Sequence, residues 1–384
     1  MPWKGQTMEE RREEFVRRAI AKERSKSALC EEYGISRPTG DKWIQRYTHG
    51  ELMSDQSKAP FHTPNRTDTR TEDEIVALRK KHPALGAKKI KRMLENEGKK
   101  APAYSTINEI FHRNGLITKE ASEAATPYIR FEKAAPNDML QIDFKGHFAM
   151  SNGQRCHPLT VIDDHSRYCL CLDAKEDEQY EGVRSSVATL FGEYGLPNVV
   201  LCDNGNPWGT PQSMGYTRFE VWLMDLGILT KHGRVRHPQT QGKDERFNGT
   251  LKKELLNHRQ LHDLAHAQSQ FGEFRSFYNN ERPHHALDLA CPAQRYRKSD
   301  RRLPDRIGEW EYGQGFTVRQ IKDSGYLTYQ GQGYFLSEAF GGRRVGIRES
   351  DSADNIIWIL YRQFCIAKLD IDNRCFISKN PFIL

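Results

Sequence analysis

No stretch of this sequence is apolar for long enough to cross a membrane, and hydrophobic residues make up 37% of it against 28% charged. That balance belongs to a chain that folds in water and excludes a membrane-spanning helix. Cysteine is scarce: there are eight in 384 residues, with no CxxC pair and no early apolar signal segment. The pattern excludes a disulfide framework and implies reduced, intracellular thiols. Cys169 and Cys171 point to one face of a strand with no partner ligands nearby, so they read as core residues. A strong charge excess is also missing. A net charge of +7 and a pI near 8.9 permit a nucleic-acid partner without establishing one.

What is present is length for two to four domains and an uneven spread of charge. Residues 1–125 carry 25 Lys and Arg against 19 Asp and Glu, whereas 126–297 carry 20 against 21. The basic excess therefore lies ahead of the middle. In the head, Phe15, Val16, Ala19 and Ile20 have helical spacing, Ala28, Leu29 and Tyr33 predict a short helix, and Ser36 caps another with Pro38 in its first turn. This is the plan of a helix-turn-helix over 1–52, offering Arg37, Thr39, Lys42 and Arg46 to a major groove. A polar, Pro-containing linker over 53–70 leads to a second helical unit at 71–117. Lys88, Lys89 and Arg92 in its basic run are the residues expected to meet DNA, and a solvated face is the competing account.

After a link at 118–135 the texture becomes α/β. Short strands are predicted at 139–144, 158–162, 168–172, 199–202 and 228–230, with helices over 180–194 and 219–226. The segment HPQTQGKDERFNGTLKKELL, residues 237–256, then turns at Pro238 and Gly242 and predicts a helix to about 257. Phe247, Leu251 and Leu255 form its apolar stripe. Glu245 and Lys252 are seven apart, within roughly 20° of each other at about 100° per residue, and roughly 110° round from that stripe. Asp143 and Asp203 fall on strands at comparable places, where open α/β sheets gather ligands. Three carboxylates brought together repel unless cations neutralise them, and hard oxygen donors favour Mg2+ or Mn2+. Asp163 and Asp164 also compete for a metal role, although a DDHS turn satisfies its own backbone. Asp244 points about 100° away from Glu245 and is the weaker candidate.

The motifs QIDFKG around Asp143, VIDDHSRY at 161–168, CDNGNPWG around Asp203, HPQTQGKDER around Glu245 and YNNERPHHAL at 278–287 resemble the DDE transposases of bacterial insertion sequences. These are relatives of retroviral integrases with a ribonuclease H-like catalytic core. The resemblance covers about residues 10–300. It implies that Asp143, Asp203 and Glu245 are the catalytic, metal-binding triad for two Mg2+ or Mn2+ ions, and that the family's helix-borne basic residue falls on Lys252. Asp203 and Glu245 are separated by 41 residues, more than in many integrase-like relatives, with the excess placed in the loop at 206–215. The paired-His, paired-Cys zinc module of retroviral integrases is absent from the head.

Gln239 and Gln241, with His237 and Asn248, flank the expected site as DNA contacts or loop organisers. Asn204 is placed to support Asp203, while Arg282 and His284 read as structural. From 301 onward short strands between Gly, Asp and Asn turns predict a small β-barrel, in which Arg343, Arg344 and Arg348 serve DNA binding, assembly or a solvated edge. The fold class expected is thus multidomain: α-helical helix-turn-helix modules, a central α/β ribonuclease H-like integrase core over 136–300, and a small all-β barrel over 301–384. The function expected is a DNA transposase acting on double-stranded transposon ends and target DNA. It self-associates into a multimer on DNA, with no membrane partner and no nucleotide cofactor, in the cytoplasm at the nucleoid. A DNA-binding regulator or domesticated protein that does not cut is the alternative, and a structure-selective nuclease a third reading.

Overall fold

Three polar side chains start the helices of the head. In a computed structural model describing residues 7–55, 67–117, 132–209, 215–233, 242–350, 353–378 and 381–383, Thr7, Ser25 and Ser36 each accept a backbone N–H at the start of α1 (Met8–Ile20), α2 (Lys26–Glu32) and α3 (Arg37–Thr48). Phe15, Val16, Leu29, Cys30, Trp43 and Met53 form their core. Gly40 lets α3 approach closely, because a Cβ there would lie 2.8 Å from the Cys30 sulfur and 3.0 Å from the Phe15 ring. The chain divides into two compact units, Met1–Arg66 and Thr67–Leu384, and the head is the first.

The second unit opens with α4 (Thr69–Lys81), α5 (Ala87–Asn96) and α6 (Tyr104–Arg113). Ile75, Leu85, Ile90, Met93, Leu94, Ile107, Ile110 and Phe111 are the core they share. Next come β1 (Met139–Phe144), β2 (Phe148–Ala149), β3 (Arg155–Asp163), β4 (Cys169–Lys175), α7 (Tyr180–Tyr194), β5 (Val199–Cys202), α8 (Arg218–Asp225), β6 (Leu229–His232), α9 (Gly242–Leu251) and α10 (Leu264–Asn280). The sheet runs β2-β3-β1-β5-β6 with β4 also on β3. Pairing is antiparallel from β1 to β3 and parallel from β1 to β5 and from β5 to β6. One face packs under α7 and α8 through Leu140, Ile142, Val187, Phe191, Phe219 and Leu223. The other packs under α9 and α10 through Ile162, Leu172, Phe247, Leu251, Phe271 and Tyr278. Covering both faces is what makes a parallel-centred sheet stable. Cys169 and Cys171 are buried in these two layers, and the eight cysteines are all unpaired.

The helix expected to continue to about 257 changes character after Leu251. Lys252–Leu256 form a π-helical turn, closed by the Asn257 N–H donating to the Lys252 carbonyl at 2.9 Å. Glu254 sits in this turn and pairs with Arg282 at 2.7 Å, both nearly buried. The structural role expected for Arg282 is therefore visible as a contact. His82 at the end of α4 stacks on Phe277 of α10, ring centroids 4.2 Å apart.

The C-terminal part is all β: β7 (Thr317–Gln320), β8 (Tyr326–Tyr329), β9 (Gln332–Phe335), β10 (Arg344–Ser350), β11 (Ala353–Tyr361), β12 (Phe364–Asp370), β13 (Cys375–Ser378) and β14 (Phe382–Ile383). Six strands form a sheet ordered β13-β12-β11-β10-β7, with β14 on β12, and the β8–β9 hairpin adds Leu327 and Tyr334 to one apolar interior. Sequence periodicity anticipated the longer strands and missed the two last, which are only four and two residues long. This interior also takes in Val221 and Met224 of α8. Beside them the buried Asp225 accepts from Arg343 at 2.7 and 2.9 Å, from Arg362 at 3.3 Å, and from the Tyr361 hydroxyl. Arg343, expected to serve DNA, is thus committed to this joint, while Arg344 and Arg348 remain exposed.

Because two guanidiniums depend on one buried carboxylate, Asp225→Ala strands both. The expected loss of stability is about 1.5–3 kcal/mol, the scale of a charged hydrogen bond, read as a lower urea midpoint. An unchanged midpoint would mean that the joint contributes nothing.

Candidate functional site

The parallel register of β1 and β5 pairs Met139 with Val199 and Gln141 with Leu201. Two residues on, it brings Asp143 level with Asp203 just beyond the end of β5. Both are half-buried. Burial and then the Asp203 charge push the Asp143 carboxyl up from 3.8 to about 6, although a hydrogen bond with Asp244 and the Phe144 amide oppose this. Asp203 is held from its own loop: its Oδ1 accepts the Gly205 N–H at 2.9 Å, and a Cβ on Gly205 would crowd the carboxylate at 3.2 Å. Two acids are therefore side by side at the carboxyl end of parallel strands, in surroundings that resist their joint ionisation.

The third acid next to Asp143 is Asp244. It is fully buried; the Thr160 hydroxyl lies 3.0 Å from its Oδ1 and the Asn248 amide donates to its Oδ2 at 3.0 Å. Burial first, and then Asp143, raise its pKa well above the usual carboxylate range. The spacing contained a signal for this placement: Asp244 lies three residues before Phe247 and seven before Leu251, on the buried stripe of α9. Glu245 is exposed in the first turn of that helix. Among the described residues no three His, Cys, Asp or Glu side chains converge closely enough to hold a metal ion. The structure thus brings Asp143 to Asp203 and Asp244, while Glu245, the next residue of α9, is exposed.

Asp163 and Asp164 turn inward as organisers. Asp163 accepts from the Asn137 and Ser166 amides at 2.8 and 2.7 Å. Asp164 accepts from the Lys133 amide and the Gln141 side chain, each at 2.8 Å, and pairs with Lys243 at 2.5 Å. Since the Gln141 Oε1 receives the Asp244 amide at 3.3 Å, these contacts tie the start of α9 to β1. Lys252 is exposed, and burial first and then the Lys252 charge lower the pKa of Lys145, a basic residue two positions after Asp143 that motif reading passed over. Asn204 supports the loop around Asp203, donating to the Gly233 carbonyl at 3.0 Å.

The expected DNA contacts divide by placement. Arg37 and Lys42 of α3 are exposed and Thr39 is half-buried. Arg46 is buried, bound to Glu51 at 3.0 Å and to the Ser54 carbonyl at 3.1 Å, and its guanidinium lies over Trp43. It stabilises the head rather than facing a groove. Lys88 is exposed and Arg92 half-buried beside Glu95. Lys89 points toward Arg282 and Glu254, and burial followed by the Arg282 charge pushes its pKa down to about 7. It is a residue of the joint between α5 and the core. Lys88 lines an open groove of about 450 Å³ with Tyr104, Ser105, Asn108, Glu109 and His285. His237, Gln239 and Gln241 lie outside the described residues.

Family comparisons follow the same divisions. Integrase core domain models match residues 133–238 and 226–292. A helix-turn-helix domain matches 11–61, a homeodomain-like domain 39–111, and the C-terminal domain of IS481 family transposases 316–375. An uncharacterized 31.7 kDa protein of insertion element IS407 from Burkholderia multivorans is 27% identical over 247 residues, covering 62% of this chain and 86% of that protein. The transposase of insertion sequence IS904 from Lactococcus lactis is 24% identical over 261 residues, covering 63% and 92%. Among solved structures, the HTLV-2 integrase catalytic core domain in complex with magnesium aligns at 17% identity and a TM-score of 0.33, covering 42% of this chain and 97% of that one. An integrase core between helix-turn-helix domains and a C-terminal domain of the IS481 transposase type is the domain set of bacterial insertion-sequence transposases, polynucleotidyl transferases with an integrase core.

Proposed function

We propose that this transposase binds the ends of its insertion sequence, hydrolyses a phosphodiester there, and joins the freed 3′-hydroxyl to target DNA. Asp143, Asp203 and Glu245 are the residues assigned to hold two Mg2+ or Mn2+ ions. The observation that carries this reading is the Asp143–Asp203 pair, whose mutual repulsion in a half-buried setting leaves negative charge that a cation would neutralise. Two carboxylates with an uncrowded Gly205 beside them fit a hard divalent ion. Bound there, such ions supply a more acidic attacking water or hydroxyl and neutralise the leaving oxygen. The chain's own residues do the positioning: Lys252 and Lys145 offer ammonium groups to DNA phosphates, Asp244 and Thr160 hold the Asp143 segment, and the helix-turn-helix domains select the duplex. Joining two ends requires two active sites in one assembly, so the working form on DNA is a multimer.

Three measurements follow. In a cleavage and joining assay on DNA carrying the element's ends, Asp143→Asn, Asp203→Asn and Glu245→Gln are each expected to lose at least about a hundredfold in rate with end binding intact. Retained cleavage in any of them removes that residue from the triad, and Glu245→Gln is the most informative because Glu245, unlike Asp143 and Asp203, is exposed.

The raised Asp143 pKa fixes a pH dependence. The folded state holds this proton more tightly than the unfolded chain, so its stabilising effect is present below about 4 and is lost as pH rises through about 6. Mg2+ should therefore raise the melting temperature more at pH 7.5 than at pH 4.5. An equal increment at both values would detach cation binding from this carboxylate.

For the DNA contacts, Lys88→Ala should weaken duplex binding and reduce the slope of log affinity against log salt by about 1. Lys89→Met should leave that slope unchanged. The reverse ranking would place the DNA on the other side of α5.

A further inference from the structure

The end of β5 is held by more than its own loop. His232, the last residue of β6, has its Nδ1 2.7 Å from the main-chain carbonyl oxygen of Asp203 and its Nε2 2.9 Å from Glu220 Oε1. Glu220 is buried at 4% exposure. Its Oε2 accepts the Thr217 amide at 2.7 Å and lies 3.0 Å from the Thr217 hydroxyl, the capping box that starts α8. Both ring nitrogens of His232 thus face oxygen acceptors, a carbonyl on one side and a carboxylate on the other, so each N–H donates and the ring orientation is fixed. The edge of the ring is enclosed as well, since a Cβ on Gly209 would lie 3.1 Å from His232 Cε1 and 3.2 Å from the backbone of Asn204.

Nothing in the capping of α8 requires the second contact. Thr217 and Glu220 complete the cap between themselves, and Glu220 uses its remaining oxygen for the histidine. The ring then reaches the carbonyl oxygen of the Asp203–Asn204 peptide itself. A carboxylate at the end of a strand is only as well placed as its backbone, and the N–H donor from His232 fixes that backbone while the Gly205 amide holds the carboxylate itself.

We infer that Glu220 and His232 form a positioning pair for Asp203, a helix-cap carboxylate and an imidazole that set the carboxylate of the candidate metal site through its backbone. The inference rests on the reading of Asp203 as a metal-holding acid. A carboxylate–histidine pair of this kind normally orients a ligating imidazole; here it acts one step further back, on the peptide of a ligating acid.

The test uses the full-length protein bound to end DNA, with Mn2+ binding followed by electron paramagnetic resonance beside the kinetics of strand cleavage. Glu220→Gln keeps the size of the side chain, so it tests the pairing with little risk to the fold. His232→Ala removes the donor outright, and His232→Asn restores a donor. The expected result is a loss of about tenfold to a hundredfold in Mn2+ affinity and in kcat for Glu220→Gln and His232→Ala, with DNA affinity within about twofold of the parent. The double variant should be no worse than His232→Ala alone, since both act through one contact. His232→Asn should recover part of the Mn2+ affinity. Mn2+ affinity and kcat within twofold of the parent in Glu220→Gln and His232→Ala would overturn the pairing, as would additive losses in the double variant. Asp203→Asn serves as the reference: if it too retains Mn2+ binding and cleavage, the metal-site reading fails; if it is inactive while Glu220→Gln and His232→Ala are normal, only the positioning inference fails.

Discussion

Two carboxyl groups in contact inside a protein cannot both be ionised at modest cost, and around Asp143 there are three acids to accommodate. The structure resolves part of the conflict by burying Asp244 completely, which favours its neutral form, with Thr160 and Asn248 completing its hydrogen bonding. It resolves none of it between Asp143 and Asp203, which stand level at the ends of neighbouring parallel strands. The surrounding architecture maintains that situation. β1 and β5 cannot slip without reversing which side chains are buried, and the Asp164–Gln141–Lys243 contacts hold α9 against β1.

α8 occupies a middle position in this arrangement. Its Phe219 and Leu223 belong to the core beneath the sheet, its Val221 and Met224 to the interior of the C-terminal β part, and its Asp225 holds Arg343 and Arg362. The first turn of the same helix carries Glu220, whose histidine partner touches the backbone of Asp203. A similar economy marks the π-helical turn after α9, where Glu254 binds Arg282 close to Lys89 of α5. Both joints are built from buried charge, which is costly to leave unpaired and therefore fixes the parts it connects.

Much of this was legible in the sequence. Periodicity located α7, β1 and β5, the order of elements identified the α/β core, and five short motifs identified the family. What failed did so for identifiable reasons. Lys89 and Arg46 look like DNA contacts because a basic residue reads the same whether its partner is a phosphate, the buried Glu254 or the exposed Glu51. Only the packed structure distinguishes them. The helix phase of α9 separated Asp244 from Glu245 correctly but could not say which would meet Asp143. Placing Asp244 on the Phe247–Leu251 stripe would have marked it as buried, though it is unusual for an acid to sit there. The switch from α to π geometry after Leu251 left no trace in the composition. The Glu220–His232 pair escaped because its two members belong to different elements and neither lies in a family motif.

The account depends on Asp143 and Asp203 holding a divalent cation together. The most direct measurement is anomalous X-ray scattering from crystals of the protein on its end DNA soaked in Mn2+. The account predicts a manganese peak within bonding distance, about 2.2 Å, of carboxylate oxygens from both residues, with Glu245 completing the donor set. Manganese found elsewhere on the chain, or no bound manganese in crystals whose DNA is in place, would contradict it.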